Sequence, residues 1–413
     1  MAMDAAKLIV KVEADTSPAE AGLQSFSKSM QNRARSLGAV GLGMTAAFTA
    51  PLVGMGAAAF TVGMDFESAF TGVIKTFSGT AAELEVLRQG IRDMSMELPA
   101  TAVEIATVAE AAGALGIESK NVLGFTRTVI DMAEATDLTA DQAANDMARF
   151  ANIMKMPQTE FDRLGSTIVA LGNDGASTES EILSMAMRIA GAGAVIGLSE
   201  AQVAGWASAM SSVGINAEAG GTAFSRVVVD MAKNVQTGGK NLSKFAKIAG
   251  VSSAAFAKAF EEDASAATLM FIEGLGGIAD AGGNVFGVLE ELGMADVRVQ
   301  DTLLRLAGAG DLVTDSLDTA NTAWEENLAL SREAELRYAT TASKIEIAKN
   351  RIRDLGVTLF DTFRPNINAA LDGVSGFVTG IGDMISGVAS ANPALMNARM
   401  DVASPSQGGG EAR

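Results

Sequence analysis

Apolar residues recur at steps of three and four along most of this chain, and the runs begin and end at recognisable caps. A Ser or Thr followed three residues later by Glu or Gln lets side chain and backbone satisfy each other at a helix start. Such pairs stand at Thr80/Glu83, Thr101/Glu104, Thr139/Gln142, Thr178/Glu181 and Ser199/Gln202. After Thr80 the positions Leu84, Leu87, Ile91, Met94 and Leu98 form one stripe, which Pro99 ends because proline lacks the N–H and disfavours helix in the residue before it. The pattern predicts an all-α protein built from a multi-helix core, one short N-terminal strand and a long C-terminal helical or coiled-coil arm.

The strand is the alternation of Leu8, Val10, Val12 and Ala14 with Lys7, Lys11 and Glu13. Ser17, Pro18 and Glu20 then cap a helix expected to run to about Arg35, completing an N-terminal element over residues 1–35. From Ser36 to Met64 no residue is charged, a length that spans a bilayer of about 30 Å as helix. Its Gly, Ala and Thr content and the interruption at Pro51 also fit a hairpin buried among other helices.

A helical core is expected over 65–319. Within it, Thr101, Glu104, Ile105, Gly116, Phe125 and Arg149 fall opposite Thr178, Glu181, Ile182, Gly197, Trp206 and Arg226 at an offset of about 77 to 81 positions, a wobble near one helical turn. The reading is a duplicated unit over about 80–155 and 159–235, or the self-similarity of any Ala- and Gly-rich helical chain. Gly238-Gly239 breaks the pattern. Two shorter stripes follow, Leu269, Ile272, Leu275 and Ile278, then Val285, Val288, Leu289 and Leu292.

The arm covers 320–391. Trp324 to Asp354 carries charges of both signs and no Gly or Pro, which predicts one long solvated helix. Ile345, Ala348, Ile352, Leu355 and Leu359 step three and four through its end. Beyond the interruption at Pro365 the seam resumes as Ile367, Leu371, Val374, Val378, Ile381, Ile385 and Val388, the spacing of helices wound on one another or docked on their own chain. Glycines at 373, 376 and 380 weaken it alone. Residues 392–413 read as a disordered tail.

Composition narrows the chemistry. Of 413 residues 48% are hydrophobic but only 5% aromatic, so helices pack through small side chains, and 44 glycines supply many helix ends. A net charge of −18 argues against direct nucleic-acid binding, where Lys and Arg must neutralise phosphates. With no histidine and no cysteine, the usual general base, the Ser-His and Cys-His nucleophiles and the common zinc ligands are missing. Neither catalytic residues, cofactor-binding residues nor metal ligands are assigned. Gly238-Gly239-Lys240 lacks the spacing of a phosphate loop, and Gly191-Ala192-Gly193 lacks its third glycine. Trp206, Trp324, Tyr338 and the frequent methionines, such as Met185, Met187 and Met210, read as packing residues.

One family fits the order of these features. A short strand, a capped helix, an uncharged segment with Ala50-Pro51-Leu52 and then Asp65-Phe66-Glu67-Ser68-Ala69-Phe70 resembles phage tail tape measure proteins. So do Glu97-Leu98-Pro99-Ala100-Thr101, Glu110-Ala111-Ala112-Gly113, Gly116-Ile117, Ala190 to Leu198, Gly214-Ile215-Asn216 and Gly220-Gly221-Thr222-Ala223-Phe224, over about Leu8 to Pro365. The resemblance implies a non-enzymatic protein of the virion or prophage tail lumen, made in the host cytoplasm, that templates tube assembly and sets tail length. It implies partners too: further copies of itself, the tail tube protein, tail assembly chaperones, distal tail or baseplate proteins, and the host membrane during genome ejection. Fully helical, 413 residues span at most about 620 Å. Two other classes stand beside this one. A membrane-active helical protein would use residues 36–64. A peptidoglycan hydrolase would use Glu67-Ser68, similar to the Glu-Ser of lytic transglycosylases, but the supporting motif downstream is missing.

Overall fold

The computed structural model describes residues 45–77, 79–362 and 364–365, with side chains from Thr61 onward. The expected strand at 8–14, the helix at 18–35, the seam from Ile367 to Val388 and the tail lie outside these residues. What is described is helical, with no strand among the described residues.

The helices are α1 (Thr45–Thr76), α2 (Ala81–Glu97), α3 (Ala102–Ala114), α4 (Val122–Ala135), α5 (Ala140–Met154), α6 (Phe161–Asp174), α7 (Glu179–Ile196), α8 (Glu200–Ser212) and α9 (Ala217–Thr237). After these come α10 (Leu242–Ile248), α11 (Ser253–Glu262), α12 (Ala264–Asp280), α13 (Val285–Glu291), α14 (Val297–Ala307), α15 (Gly310–Glu326), α16 (Ala329–Tyr338) and α17 (341–362). All five expected capping boxes form, with both reciprocal bonds, at Thr80, Thr101, Thr139, Thr178 and Ser199. Helix α2 ends at Glu97, and Leu87, Ile91, Met94 and Leu98 are buried as the stripe requires.

Several ends follow one rule. Gly116, Gly197, Gly214 and Gly293 adopt positive φ, so the chain leaves each helix in the left-handed region that suits glycine. The next residue, Ile117, Leu198, Ile215 or Met294, bonds back to the helix and is buried. Glycine then apolar residue is therefore a stop and an anchor in one step. Gly238 closes α9 likewise, and Lys155 closes α5 at φ 60 without glycine.

Helix α8 lies at the centre, nine of its thirteen residues being buried, between α7 and α15. Trp206 is fully buried, donates from Nε1 to Ser265 Oγ at 2.8 Å and meets the Phe224 ring at 5.0 Å. Met185 and Met210 are buried beside it in the same core. Helix α7 also packs on α9 and α5, and α10, α11 and α12 form a cluster around Phe245, Phe256 and Phe271. The last helices then retrace the core towards its beginning: α15 on α8 and α6, α16 on α4 and α6, and α17 on α2.

Two expectations change. Pro51 falls inside α1 instead of interrupting it, so residues 45–76 make one helix and no hairpin. A helical proline removes one bond and kinks the axis; it need not separate two helices. The single helix expected over 324–354 is three pieces. Asn327 turns to φ 52 after α15, accepting from Ser166 Oγ and donating to Asp162, and Thr340 caps α17 by accepting from the Ser343 N–H. Both breaks are made by polar side chains, without Gly or Pro.

Candidate functional site

The candidate seam has four described members, all on α17. Ile345, Ile352 and Leu355 are 49%, 59% and 62% exposed, and Leu359 is half-buried. The other members, from Ile367 onward, lie outside the described residues. The period that selected these positions is thus the outward face of the helix, and a different face, carrying Asn350, Val357 and Phe360, is turned to the core.

That inner face is largely polar. Pro99 leaves carbonyls at the end of α2 without helical partners. Buried Asn350 donates from Nδ2 to Leu98, Pro99 and Ala100 O at 3.2, 3.2 and 2.8 Å, and Arg351 donates to Met96 O at 3.0 Å. One turn on, Arg92 grips Asp354 through Nε at 2.7 Å and a second nitrogen at 3.1 Å, and also reaches Thr358. This fork is well shielded, with side chains 12% and 13% exposed. Burial opposes the Arg92 charge, but Asp354 and Asp361 outweigh it and its pKa is raised. Arg88 bonds both Asp361 oxygens at 2.7 Å while lying over the Phe66 ring at 5.4 Å. Arg364 pairs with Glu67 at 2.6 Å, so the acid of Glu67-Ser68 sits in an interhelical ion pair. Phe360 covers Gly63, where an added Cβ would fall 2.2 Å from the Phe360 Cβ.

Helix α16 is held by similar means. Tyr338 donates to Asp131, which also pairs with Arg127 at 3.3 Å. Burial pushes the Asp131 carboxyl up, against the opposing pull of Tyr338 and Arg127. Burial also raises Glu179, with Asp137 and Glu333 adding to it. Arg163 reaches back to the Trp324 carbonyl at 2.6 Å, and Ser166 Oγ accepts from the Leu330 N–H.

Sequence reading missed these contacts because it took the charges of 324–354 as solvated. A signal was present. Arg88 and Arg92 are four apart on one helix, Asp354 and Asp361 seven apart on another, so each pair shares a face and the faces carry opposite sign.

Residues 88–287 match the family model described as phage-related minor tail protein. A tape measure protein of Pneumococcus phage Dp-1 is 26% identical over 197 residues, 47% of this chain and 17% of that relative. The chain is phage tail tape measure-like. The tape measure match spans about one sixth of the relative's length, and the family match runs from α2 into α13, leaving α1 and the arm from α15 outside it. No solved structure matches the chain. Among the described residues no helix is long and apolar enough to cross a membrane, and no group of three or more acidic side chains is placed to hold a metal ion.

Proposed function

We propose that this chain is a structural, non-enzymatic tape measure protein of a phage or prophage tail, which occupies the tail lumen, templates tube polymerisation and sets tail length. The observation that carries the reading is the match of its core to minor tail and tape measure proteins. The core organises assembly as a duplicated unit over about 80–155 and 159–235, a reading supported by shared caps, left-handed glycine ends and buried aromatic positions at Phe125 and Trp206. The arm is the measuring part. Its seam, from Ile345, Ile352 and Leu355 on to Val388, packs against further copies of the chain inside the tube.

The test is tail length by negative-stain microscopy after in-frame duplication of about fifty residues around Ile345 to Val388, worth about 75 Å of helix. Tails longer by that increment establish the ruler. Unchanged tails that still contain the variant remove the ruler role and leave assembly initiation.

A further inference from the structure

The arm that folds back over the core is held differently from the core itself. In α16 only Leu330 and Ala334 are buried, and in α17 the only large buried apolar side chains are Val357 and Phe360, against three exposed ones, Ile345, Ile352 and Leu355. A helix that exposes more large apolar side chains than it buries has little hydrophobic preference for its docked face. Its attachment rests instead on the Asn350 contacts and the Arg92–Asp354 and Arg88–Asp361 pairs. Water and ions reach the Arg88–Asp361 pair directly, because a cleft of about 230 Å³ lined by Glu67, Arg88, Asp361 and Arg364 opens between α1, α2 and the arm.

Charge and backbone add two independent observations. Residues 328–365 carry seven Lys or Arg against five Asp or Glu, net +2, which leaves −20 for the rest of a chain whose total is −18. A basic segment on an acidic body is attracted beyond its direct contacts, and salt screens that attraction. At the segment's start, Asn327 has a left-handed backbone without being glycine, held by Asp162 and Ser166. Released from those partners it relaxes cheaply, as a hinge must.

We propose that residues 328–365 are a separable strap, which swings away at Asn327 as a unit while α2 to α15 stay folded, and which salt releases. Opening exposes Val357 and Phe360 in addition to the outward stripe, so the released helix shows apolar side chains on two faces. The strap stands whether or not the arm sets tail length.

Hydrogen exchange read by mass spectrometry tests this on the full chain, comparing strap amides with those of α8 and α9 from low to about 0.5 M salt. Strap amides are expected to exchange at least tenfold faster than α8 in the wild type, and faster again with salt, while α8 is unchanged. Gly63→Ala sharpens the test: it displaces Phe360 without removing a charge and favours helix locally, so it should accelerate exchange at 341–362 tenfold or more without affecting α8. A cysteine pair introduced at Val86 and Leu355 in this cysteine-free chain gives a distance by fluorescence transfer, expected to lengthen in the same conditions. Strap and α8 amides exchanging at one rate, or a strap rate indifferent to both salt and Gly63→Ala, would overturn the proposal.

Discussion

Helices α8 and α17 show two ways of holding a helix in one molecule. Helix α8 is enclosed, with Trp206 at its middle and small residues, Ala201, Ala204, Ala207 and Ala209, letting neighbours approach on several sides. Helix α17 touches the core along one face through Asn350, two arginine–aspartate forks and two large apolar side chains, and leaves three more in solvent. Burial is non-directional and is not weakened by charge screening, whereas ion pairs near the surface are screened and worth little individually. Continuous helical structure therefore need not mean uniform stability, since cooperative units follow buried area and not secondary structure.

Substitutions in the two helices should act on different transitions. The largest effect is expected from Trp206→Ala, which opens a cavity and leaves Ser265 without its donor; about 3 to 5 kcal/mol should be lost from the main urea transition. Asn350→Ala strips three carbonyls of their donor, and about 1 to 3 kcal/mol is expected to disappear from the protection of 341–362 alone. A fall in the main transition as well would mean that α17 belongs to the core. Arg92→Met leaves Asp354 without its guanidinium partner while Arg88 still holds Asp361, and about 1 to 2 kcal/mol of strap protection should go, with the remaining salt dependence reduced.

Cap replacements divide the two regions more finely. Thr101→Ala removes a capping box inside the core and should lower the main urea midpoint by about 1 kcal/mol, while Thr340→Ala, at the start of α17, should act on strap exchange only. The smallest expected effect concerns pH. Folding raises Asp131, chiefly through burial, so the folded protein binds that proton more tightly than the unfolded chain. The associated stability is present below the ordinary carboxylate range and is lost as pH rises through the raised value. Exchange at α16 should therefore slow as pH falls towards the ordinary carboxylate range, after correction for intrinsic rates, and Asp131→Asn should flatten the change. An α16 more protected at high pH would reverse the balance drawn for Asp131.

Much of the core was legible because its signals are local. A capping box needs four consecutive residues, a stripe needs one helix, and a left-handed glycine followed by an apolar residue needs two positions, as at Gly116-Ile117 and Gly214-Ile215. The candidate seam was legible only as a period. The apolar steps from Ile345 to Leu359 were found, but which face of α17 meets the core depends on carbonyls some 250 positions earlier, at Leu98, Pro99 and Ala100. Nor does Asn327 stand out in sequence, since Asn145 and Asn234 lie inside helices of the same chain and the conformation of Asn327 is held by Asp162 and Ser166.

The sequence alone determined where the five capped core helices start, that the cores would be small-residue cores, and that histidine and cysteine chemistry is absent. Each of these depends on neighbours within a turn or two, or on composition. Only the tertiary structure decided that the arm folds back, that it is fastened by Asn350 and by arginines of α2, and that Ile345, Ile352 and Leu355 are left outside. Those outcomes depend on complementary groups brought together across most of the chain, and a hydrogen bond or ion pair has no period by which its distant partner can be read.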